Sequence, residues 1–141
     1  TNRNTDYKFD LEKFTNVNGK TGVYIQYANV RAQKLINDSS LEVSDFLILP
    51  KELDNNDKSL LRSFIKFEFY FEQTINNNEP HHLADFLYEI SQKFNGMYQG
   101  INILENENTV LKENKLKITD LFLQYSNLLM ECLGILPVKK M

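Results

Sequence analysis

The sequence is poor in several features that would point to particular protein classes. A single cysteine, Cys132, excludes an internal disulfide and a cysteine-cluster zinc site. No apolar run approaches the ~20 residues that a membrane-spanning helix needs, and the opening TNRNTDYKFD lacks the apolar region of a secretory signal. A glycine-rich phosphate loop, a nucleophile elbow and an internal repeat are also missing. Nothing here implies an oxidising compartment or a membrane, so we expect a cytoplasmic protein.

What the chain contains is the ordinary balance of a soluble domain. The chain has 141 residues, which is long enough to bury a core. It is 42% apolar and 25% charged, the usual composition of a globular domain. The first residue is Thr1, and we interpret the sequence as a piece of a longer chain. Residues 1–20 have weak periodicity and are predicted to be a linker, in which FDLEKF could form a helical turn. Residues 21–141 are predicted to form the folded domain.

The charges are distributed unevenly along the chain. Residues 1–36 carry six Lys or Arg against three acids, and residues 112–141 carry five against three. The middle, 37–111, holds five basic and thirteen acidic residues. If the two ends meet in the fold, one side could approach phosphates while the rest repels them. Random scatter of charge is the alternative interpretation.

Apolar periodicity predicts an all-α fold, a bundle of about five helices. Thr21 is a candidate N-cap, Ser39 and Glu42 match a capping box, and Pro80 suits a first helical turn. Gly100 and Gly134 are candidate C-terminal stops. The predicted helices are 21–37, 41–49, 57–75, 80–100 and 109–133.

Two of these segments differ in how clearly they are helical. FIKFEFYF, within 57–75, also fits an alternating strand, but the segment is long and has no hairpin partner, which favours a helix. The segment after Pro80 instead has one continuous apolar seam at spacings of four, three, four and three. The residues of that seam are Leu83, Leu87, Ile90, Phe94 and Met97.

Residues with catalytic or metal-binding chemistry are scarce. His81 and His82 are adjacent in a predicted helix, so their side chains should diverge by about 100° and not chelate a metal. Cys132 is predicted to lie in the core. No carboxylates are paired on an apolar face, as acid–base catalysis would prefer. We therefore predict no catalytic residue and no metal site in this chain, and a binding module fits it better.

Tyr24, Tyr27 and Arg31 form an unusual polar stripe on the first long helix. Positions 24 and 31 nearly superimpose at 100° per residue, position 27 lies about 60° away, and the stripe is about 10 Å long. Aromatic faces with polar tips are what unstacked RNA bases bind. Alternatively, the tyrosines are core rings with hydroxyls at the rim, and Arg31 pairs with a nearby acid.

Three stretches together resemble one family. TGVYIQYANVRAQKL has an aromatic residue, then Gln-Tyr-Ala, then an arginine four residues after the tyrosine. PHHLADFLYEISQKFNGMY contains Leu-Ala and Phe-Asn-x-x-Tyr, and LLMECLGILPVKKM ends with Leu-Gly, a proline and a terminal methionine. In this order they resemble the C-terminal, DALR-type anticodon-binding domain of arginyl-tRNA synthetases, over nearly the whole chain.

The resemblance implies roles for particular residues. Tyr24, Tyr27 and Arg31 match positions that contact the anticodon loop, and Met141 matches a terminal methionine near the same site. Ile103 stands where some members carry a stacking aromatic residue, so stacking is not expected there, and Asn95 and Tyr98 match positions expected to be structural. The residues expected to lie close enough to touch RNA are Gln26, Lys34, Lys139 and Lys140.

The resemblance also implies what lies outside this chain. No HIGH-type or KMSKS-like motif is present, so the fragment itself is expected to be non-catalytic, with residues 1–20 leading from a missing catalytic domain. The full enzyme would use ATP and magnesium to join arginine to its tRNA through an arginyl-adenylate. The expected partners are arginine tRNA and the catalytic domain, and the expected state is a monomer. The alternatives are a helical protein-interaction scaffold with no RNA role and, more remotely, a metal enzyme.

Overall fold

The helices of the bundle account for most of the chain. The structure is a computed structural model that describes residues 6, 8–16, 19–39, 41–43 and 48–141. Within those ranges the secondary structure is helical, with no strand, which confirms the predicted all-α class. The elements are α1 (Leu11–Thr15), α2 (Gly22–Ser39), a 3₁₀ turn (Pro50–Glu52), α3 (Asn55–Phe64), α4 (Phe67–Asn77), α5 (His81–Gln99) and α6 (Thr109–Cys132).

Helix α5 lies at the centre of the bundle, where it contacts α2, α3, α4 and α6. Its predicted apolar seam is fully buried, which confirms the clearest pattern in the sequence. The ring of Phe94 stacks on that of Phe122 of α6, with centroids 4.3 Å apart. Because α2 packs mainly against α5 and α6, these two helices set the position of α2 and of the site on it.

The predicted helix 57–75 is wrong in its boundaries, because the segment forms two helices. α3 starts at a capping box made by Asp54 and Asp57 and ends at Phe64, and α4 starts at Phe67. The apolar residues of this segment cover more than one stripe, which a single straight helix could not bury together. The break between α3 and α4 turns Phe67 towards the core and leaves Ile65 81% exposed. A strand at FIKFEFYF is likewise ruled out.

Of the predicted helix 41–49, residues 44–47 lie outside the described residues, and residues 41–42 and 48–49 are not helical, so the prediction is not confirmed there. Ser39 ends α2 instead of capping a new helix, and its hydroxyl accepts a hydrogen bond from the Leu41 N–H at 3.3 Å. Pro50 begins the 3₁₀ turn. The count of about five helices becomes six α-helices in the described part of the chain: the predicted helix 57–75 is two helices, α1 is the short turn expected at FDLEKF, and no α-helix is described within 41–49.

The end of α6 confirms the prediction made for one residue and contradicts the prediction made for another. Gly134 has φ +69°, the left-handed conformation of a helix stop, as predicted. Cys132 is exposed, so its predicted core position is wrong. The buried face of α6 at this end consists of Leu129 and Met130, whereas Cys132 lies one turn beyond the exposed Leu128. The apolar stripe in the sequence is wider than the face that the core covers.

A buried ion pair joins α3 to α6. The Lys115 Nζ lies 2.6 Å from an Asp54 oxygen and 2.7 Å from an Asp57 oxygen. The Lys115 side chain is 2% exposed and that of Asp57 is fully buried. Burying charges requires this pairing, because an isolated ion in the core costs several kcal/mol. Sequence patterning did not reveal the pair, since its partners are about sixty residues apart.

Helix α4 is attached to the bundle by one side only. It has no fully buried residue, and its packing is carried by Phe67 and Tyr70 against α5. Phe69 and Ile75 point outward and are mostly exposed. No helix in the described part of the chain combines the length and the apolar character that crossing a bilayer would need.

Candidate nucleic-acid interface

Helix α2 begins as its sequence predicts and presents two different faces. The Thr21 hydroxyl accepts a hydrogen bond from the Tyr24 N–H at 3.2 Å, so Thr21 is the N-cap. Ala28 and Ala32 are fully buried, and their small side chains let α2 approach α5 and α6 closely. Tyr27 and Arg31 lie on the flank of this buried face, beside α5, and both are half-buried. The stripe predicted from the sequence therefore lies at the rim of the bundle and is partly open.

The Arg31 guanidinium is held between two aromatic rings. Its Cζ atom lies 4.2 Å from the ring centroid of Tyr27 and 5.2 Å from that of Tyr98. One of its nitrogens donates to the Asn95 side-chain oxygen at 3.5 Å. Rings and an amide orient the plane of the guanidinium while leaving most of its five donors for a ligand.

Among the described residues Arg31 forms no ion pair with a carboxylate, and its hydrogen-bond partner is the neutral amide of Asn95. This removes the alternative that Arg31 pairs with a nearby acid within the described chain. An arginine that is oriented but not neutralised suits a planar group with acceptor atoms, such as a base edge or a phosphate.

Tyr24 occupies a different place from Tyr27, although they belong to the same predicted stripe. Its ring packs against Tyr88 of α5, with centroids 5.3 Å apart and planes tilted by 53°. Lys20, which precedes the helix, pairs with Asp85 at 2.6 Å beside the same ring. The ring of Tyr24 therefore packs against α5 and is half-buried, whereas the ring of Tyr27 lies under the Arg31 guanidinium.

The C-terminal tail lies along the other side of the α2 ridge. The Gln26 side-chain nitrogen donates to the Leu136 carbonyl at 2.9 Å, and its oxygen accepts from the Val138 N–H at 3.0 Å. A groove of about 370 Å³ then forms between the tail and the second half of α2. Its lining includes Val30, Gln33, Lys34, Asn37, Asp38, Lys139, Lys140 and Met141.

The expected RNA-side residues are thus brought to one side of the molecule. Lys34, Lys139 and Lys140 are exposed around this groove, and Met141 is 57% exposed. Of the basic residues counted at the two ends of the chain, only these three lysines are placed at the groove within the described residues, whereas Lys20 pairs with Asp85 and Lys115 is buried against two aspartates. Gln26 differs from the rest, because both ends of its side-chain amide already bind the tail.

Three further sequence-based expectations concern neighbouring residues. Ile103 is 3% exposed and packs with Leu35 and Leu116 in a small second core, so its side chain is part of the structure and not of a stacking surface. Asn95 and Tyr98, expected to be structural, are the residues that hold Arg31. Their contact with Arg31 could not be read from the motif, because it crosses from α5 to α2.

The two histidines do not diverge as predicted. The rings of His81 and His82 lie with centroids 4.1 Å apart, because side-chain torsions bring together rings whose Cβ atoms point apart. Together with Glu79 they form the group within the described chain whose donor atoms, all within 4.8 Å, could hold a metal ion. His82 is paired with Glu79 at 3.1 Å. The predicted lack of a metal site stays a prediction.

Comparison with known proteins decides the family. Residues 25–141 match the family described as the DALR anticodon binding domain. The chain belongs to this family. It is also 33% identical over 141 residues to an arginine–tRNA ligase from Pasteurella multocida, covering 99% of this chain and 25% of that protein. The chain thus spans about a quarter of the length of this curated relative.

Solved structures agree with this DALR assignment. An arginyl-tRNA synthetase from Plasmodium falciparum superposes with a TM-score of 0.82 and 28% identity, over 100% of this chain and 25% of that one. An arginyl-tRNA synthetase from Thermus thermophilus superposes with a TM-score of 0.79 over 89% of this chain and 22% of that chain. At 20% sequence identity, this likeness supports the fold alone. The resemblance to the C-terminal domain of arginyl-tRNA synthetases is confirmed.

Proposed function

We propose that this DALR domain binds the anticodon loop of arginine tRNA and positions that tRNA for aminoacylation by the rest of an arginine–tRNA ligase. The observation that carries the proposal is Arg31, which is oriented by Tyr27 and Tyr98 and lacks an acidic partner in the described chain. Family membership and the names of the relatives point the same way.

The site supplies two kinds of contact that a single-stranded loop needs. Tyr27 and the edge of Tyr24 offer aromatic surface for a splayed base, and Arg31 offers donors to its edge or to a phosphate. Lys34, Lys139 and Lys140 add positive charge along the groove beside them. Met141 lines the same groove, where its exposed side chain adds apolar surface for a base. Loop nucleotides would therefore lie between α5 and the tail, across α2.

Aminoacylation kinetics of the full-length polypeptide that contains this sequence would test the proposal. Tyr27→Ala and Arg31→Ala are each expected to weaken tRNA use by about 1–3 kcal/mol, the range for stacking and base-edge contacts. The affinities for arginine and ATP should stay unchanged. Arg62→Ala, which removes an exposed arginine from α3, is the matched control. Normal tRNA kinetics in both Tyr27→Ala and Arg31→Ala would overturn the proposal.

We also propose several properties of a full-length enzyme that contains this domain. ATP and magnesium would act in the catalytic part, which would join arginine to tRNA through an adenylate, and this domain would contribute no catalytic group. We further propose a cytoplasmic monomer. Sedimentation of the full-length protein at increasing concentration would test the monomer, and a concentration-dependent rise in mass would reject it.

One observation favours the alternative of a protein-interaction scaffold. The outer side of α4 exposes apolar side chains, among them Phe69 and Ile75, and such surfaces often bind other proteins. Phe69→Ser with Ile75→Ser tests this role, because the substitutions lie on α4, away from α2. Loss of tRNA use in Arg31→Ala but not in this double variant supports the RNA-binding role, and the reverse pattern supports the scaffold.

A further inference from the structure

Gln26 links two parts of the chain that are 110 residues apart in sequence. Its amide nitrogen donates to the Leu136 carbonyl at 2.9 Å, and its amide oxygen accepts from the Val138 N–H at 3.0 Å. The two backbone groups belong to residues i and i+2 of an extended segment, so the amide pairs with the tail much as a neighbouring strand would. Among the side chains, a primary amide provides a donor and an acceptor at this spacing without carrying a charge.

Beyond Ile135, the hydrogen bonds that join the tail to other described residues are the two to Gln26. Helix α6 ends at Cys132, Gly134 reverses the chain, and the Ile135 N–H donates to the Met130 carbonyl at 2.8 Å. Ile135 packs partly against the core, whereas residues 136–141 are all exposed. No apolar side chain of this last segment is therefore buried to fix its path, and backbone hydrogen bonds to α2 take that role.

The position of the tail decides whether the groove beside α2 exists. Lys139, Lys140 and Met141 form one wall of the groove, and they follow directly after the residues that Gln26 binds. A tail that leaves α2 would carry both lysine charges and Met141 away from this groove. Gln26 itself lies on α2 between Tyr24 and Tyr27, so it connects the tail to the same helix that carries the aromatic and guanidinium contacts.

We propose that Gln26 is a positioning residue: it fixes the C-terminal tail against α2 so that Lys139, Lys140 and Met141 face the RNA, and it acts through the tail and not by touching RNA. This inference rests on the proposed function. Its geometric part, the fixing of the tail, can be measured without RNA. Its functional part predicts that the effects of removing Gln26 and of removing the tail on the tRNA KM do not add.

The first experiment measures tail order without RNA in the full-length polypeptide. Backbone amide exchange of the peptide that contains Val138, followed by mass spectrometry with millisecond labelling, should be about tenfold faster at the Val138 amide in Gln26→Ala, because this N–H loses its acceptor. Gln26→Glu keeps an acceptor for the Val138 N–H but places a carboxylate oxygen against the Leu136 carbonyl, and this repulsion should speed exchange as well. Gln124→Ala is the matched control, since Gln124 is an exposed glutamine that pairs with Asp120 of its own helix. Unchanged exchange in both Gln26 variants would overturn the proposal.

The second experiment is a double-mutant cycle on the tRNA KM. Gln26→Ala and deletion of residues 138–141 are each expected to raise this KM about tenfold, and the combination should be no worse than the deletion alone. Additive effects would mean that Gln26 contacts RNA directly and would overturn the proposal. Faster tail exchange in Gln26→Ala with no effect of either change on tRNA kinetics would support the fixing of the tail and count against the RNA role of this surface.

Discussion

The guanidinium of Arg31 lies over the ring of Tyr27, one helical turn earlier on α2, with the Cζ atom 4.2 Å from the ring centroid. Sequence spacing alone places two such side chains on neighbouring parts of one face. The structure adds the ring of Tyr98 at 5.2 Å and the oxygen of Asn95 at 3.5 Å, both from α5. The orientation of Arg31 is therefore a property of two helices, and it can be disturbed without changing Arg31.

Tyr98→Leu tests that dependence. A cation–π contact at a partly exposed site contributes about 0.5–1 kcal/mol. Losing it should weaken tRNA binding by that amount and raise the tRNA KM about two- to fivefold. The kcat for saturating tRNA should change little, because the contact acts on binding. Tyr98→Phe keeps the ring and serves as the control. Equal losses in both variants would show that the hydroxyl, and not the ring, matters.

Lys115→Met is expected to destabilise the domain by about 3–5 kcal/mol, because it leaves the buried Asp57 and its neighbour Asp54 without their positive partner. Urea unfolding followed by circular dichroism would measure the loss. Lys58→Met, on the exposed side of α3, is the control and should stay within about 0.5 kcal/mol of the parent. A loss below about 1 kcal/mol for Lys115→Met would mean that the two carboxylates find other partners.

Stability should fall in acid because of Glu89. Burial tends to raise the pKa of this carboxyl, but hydrogen bonds from Lys93 and Lys66 outweigh burial and lower its pKa from 4.5 to about 2. The carboxylate therefore stabilises the fold above about pH 4.5, and this stabilisation is lost as the pH falls towards about 2. At Asp54, likewise, burial tends to raise the pKa of the carboxyl, but the hydrogen bond from Lys115 lowers it, and the pKa is lowered overall.

Glu89→Gln isolates this contribution. The free energy of unfolding of the variant should be below that of the parent at neutral pH, and the difference should shrink as the pH falls through the range between about 4.5 and about 2. Denaturant titrations at several pH values would measure it. A difference that stays constant with pH would show that the effect of the substitution is steric and not electrostatic.

Gly134→Ala should destabilise the end of α6 by about 1–2 kcal/mol, the cost of a left-handed conformation for a residue with a Cβ atom. Since no heavy atom lies within 4 Å of the added Cβ, the cost is conformational and not steric. Gly100→Ala is the matched control, because Gly100 has φ −75° and its Cβ would meet neighbours only at ordinary distances. Thermal unfolding of both variants would compare them, and equal melting temperatures would contradict the assignment.

The sequence by itself determined the class of the fold and the helix that carries the site. The seam of α5, the caps at Thr21 and Gly134 and the motif around Tyr27 are local patterns, and local patterns follow from helical geometry and capping chemistry. The predictions for 57–75 and Cys132 were wrong where apolar residues outnumbered the surface available for burial. Periodicity shows which residues could be buried, but not how much of a face its neighbours will cover.

The tertiary structure decided which residues meet. Lys115 finds its aspartates, Gln26 finds the tail, and Arg31 finds Tyr98 only because α5 and α6 bring distant segments together. No periodic signal encodes such contacts, since each depends on the packing angle and register between helices rather than on the order of residues within one. The stripe on α2 was visible in the sequence, but whether it faced solvent, an acid or the core was settled by its neighbours.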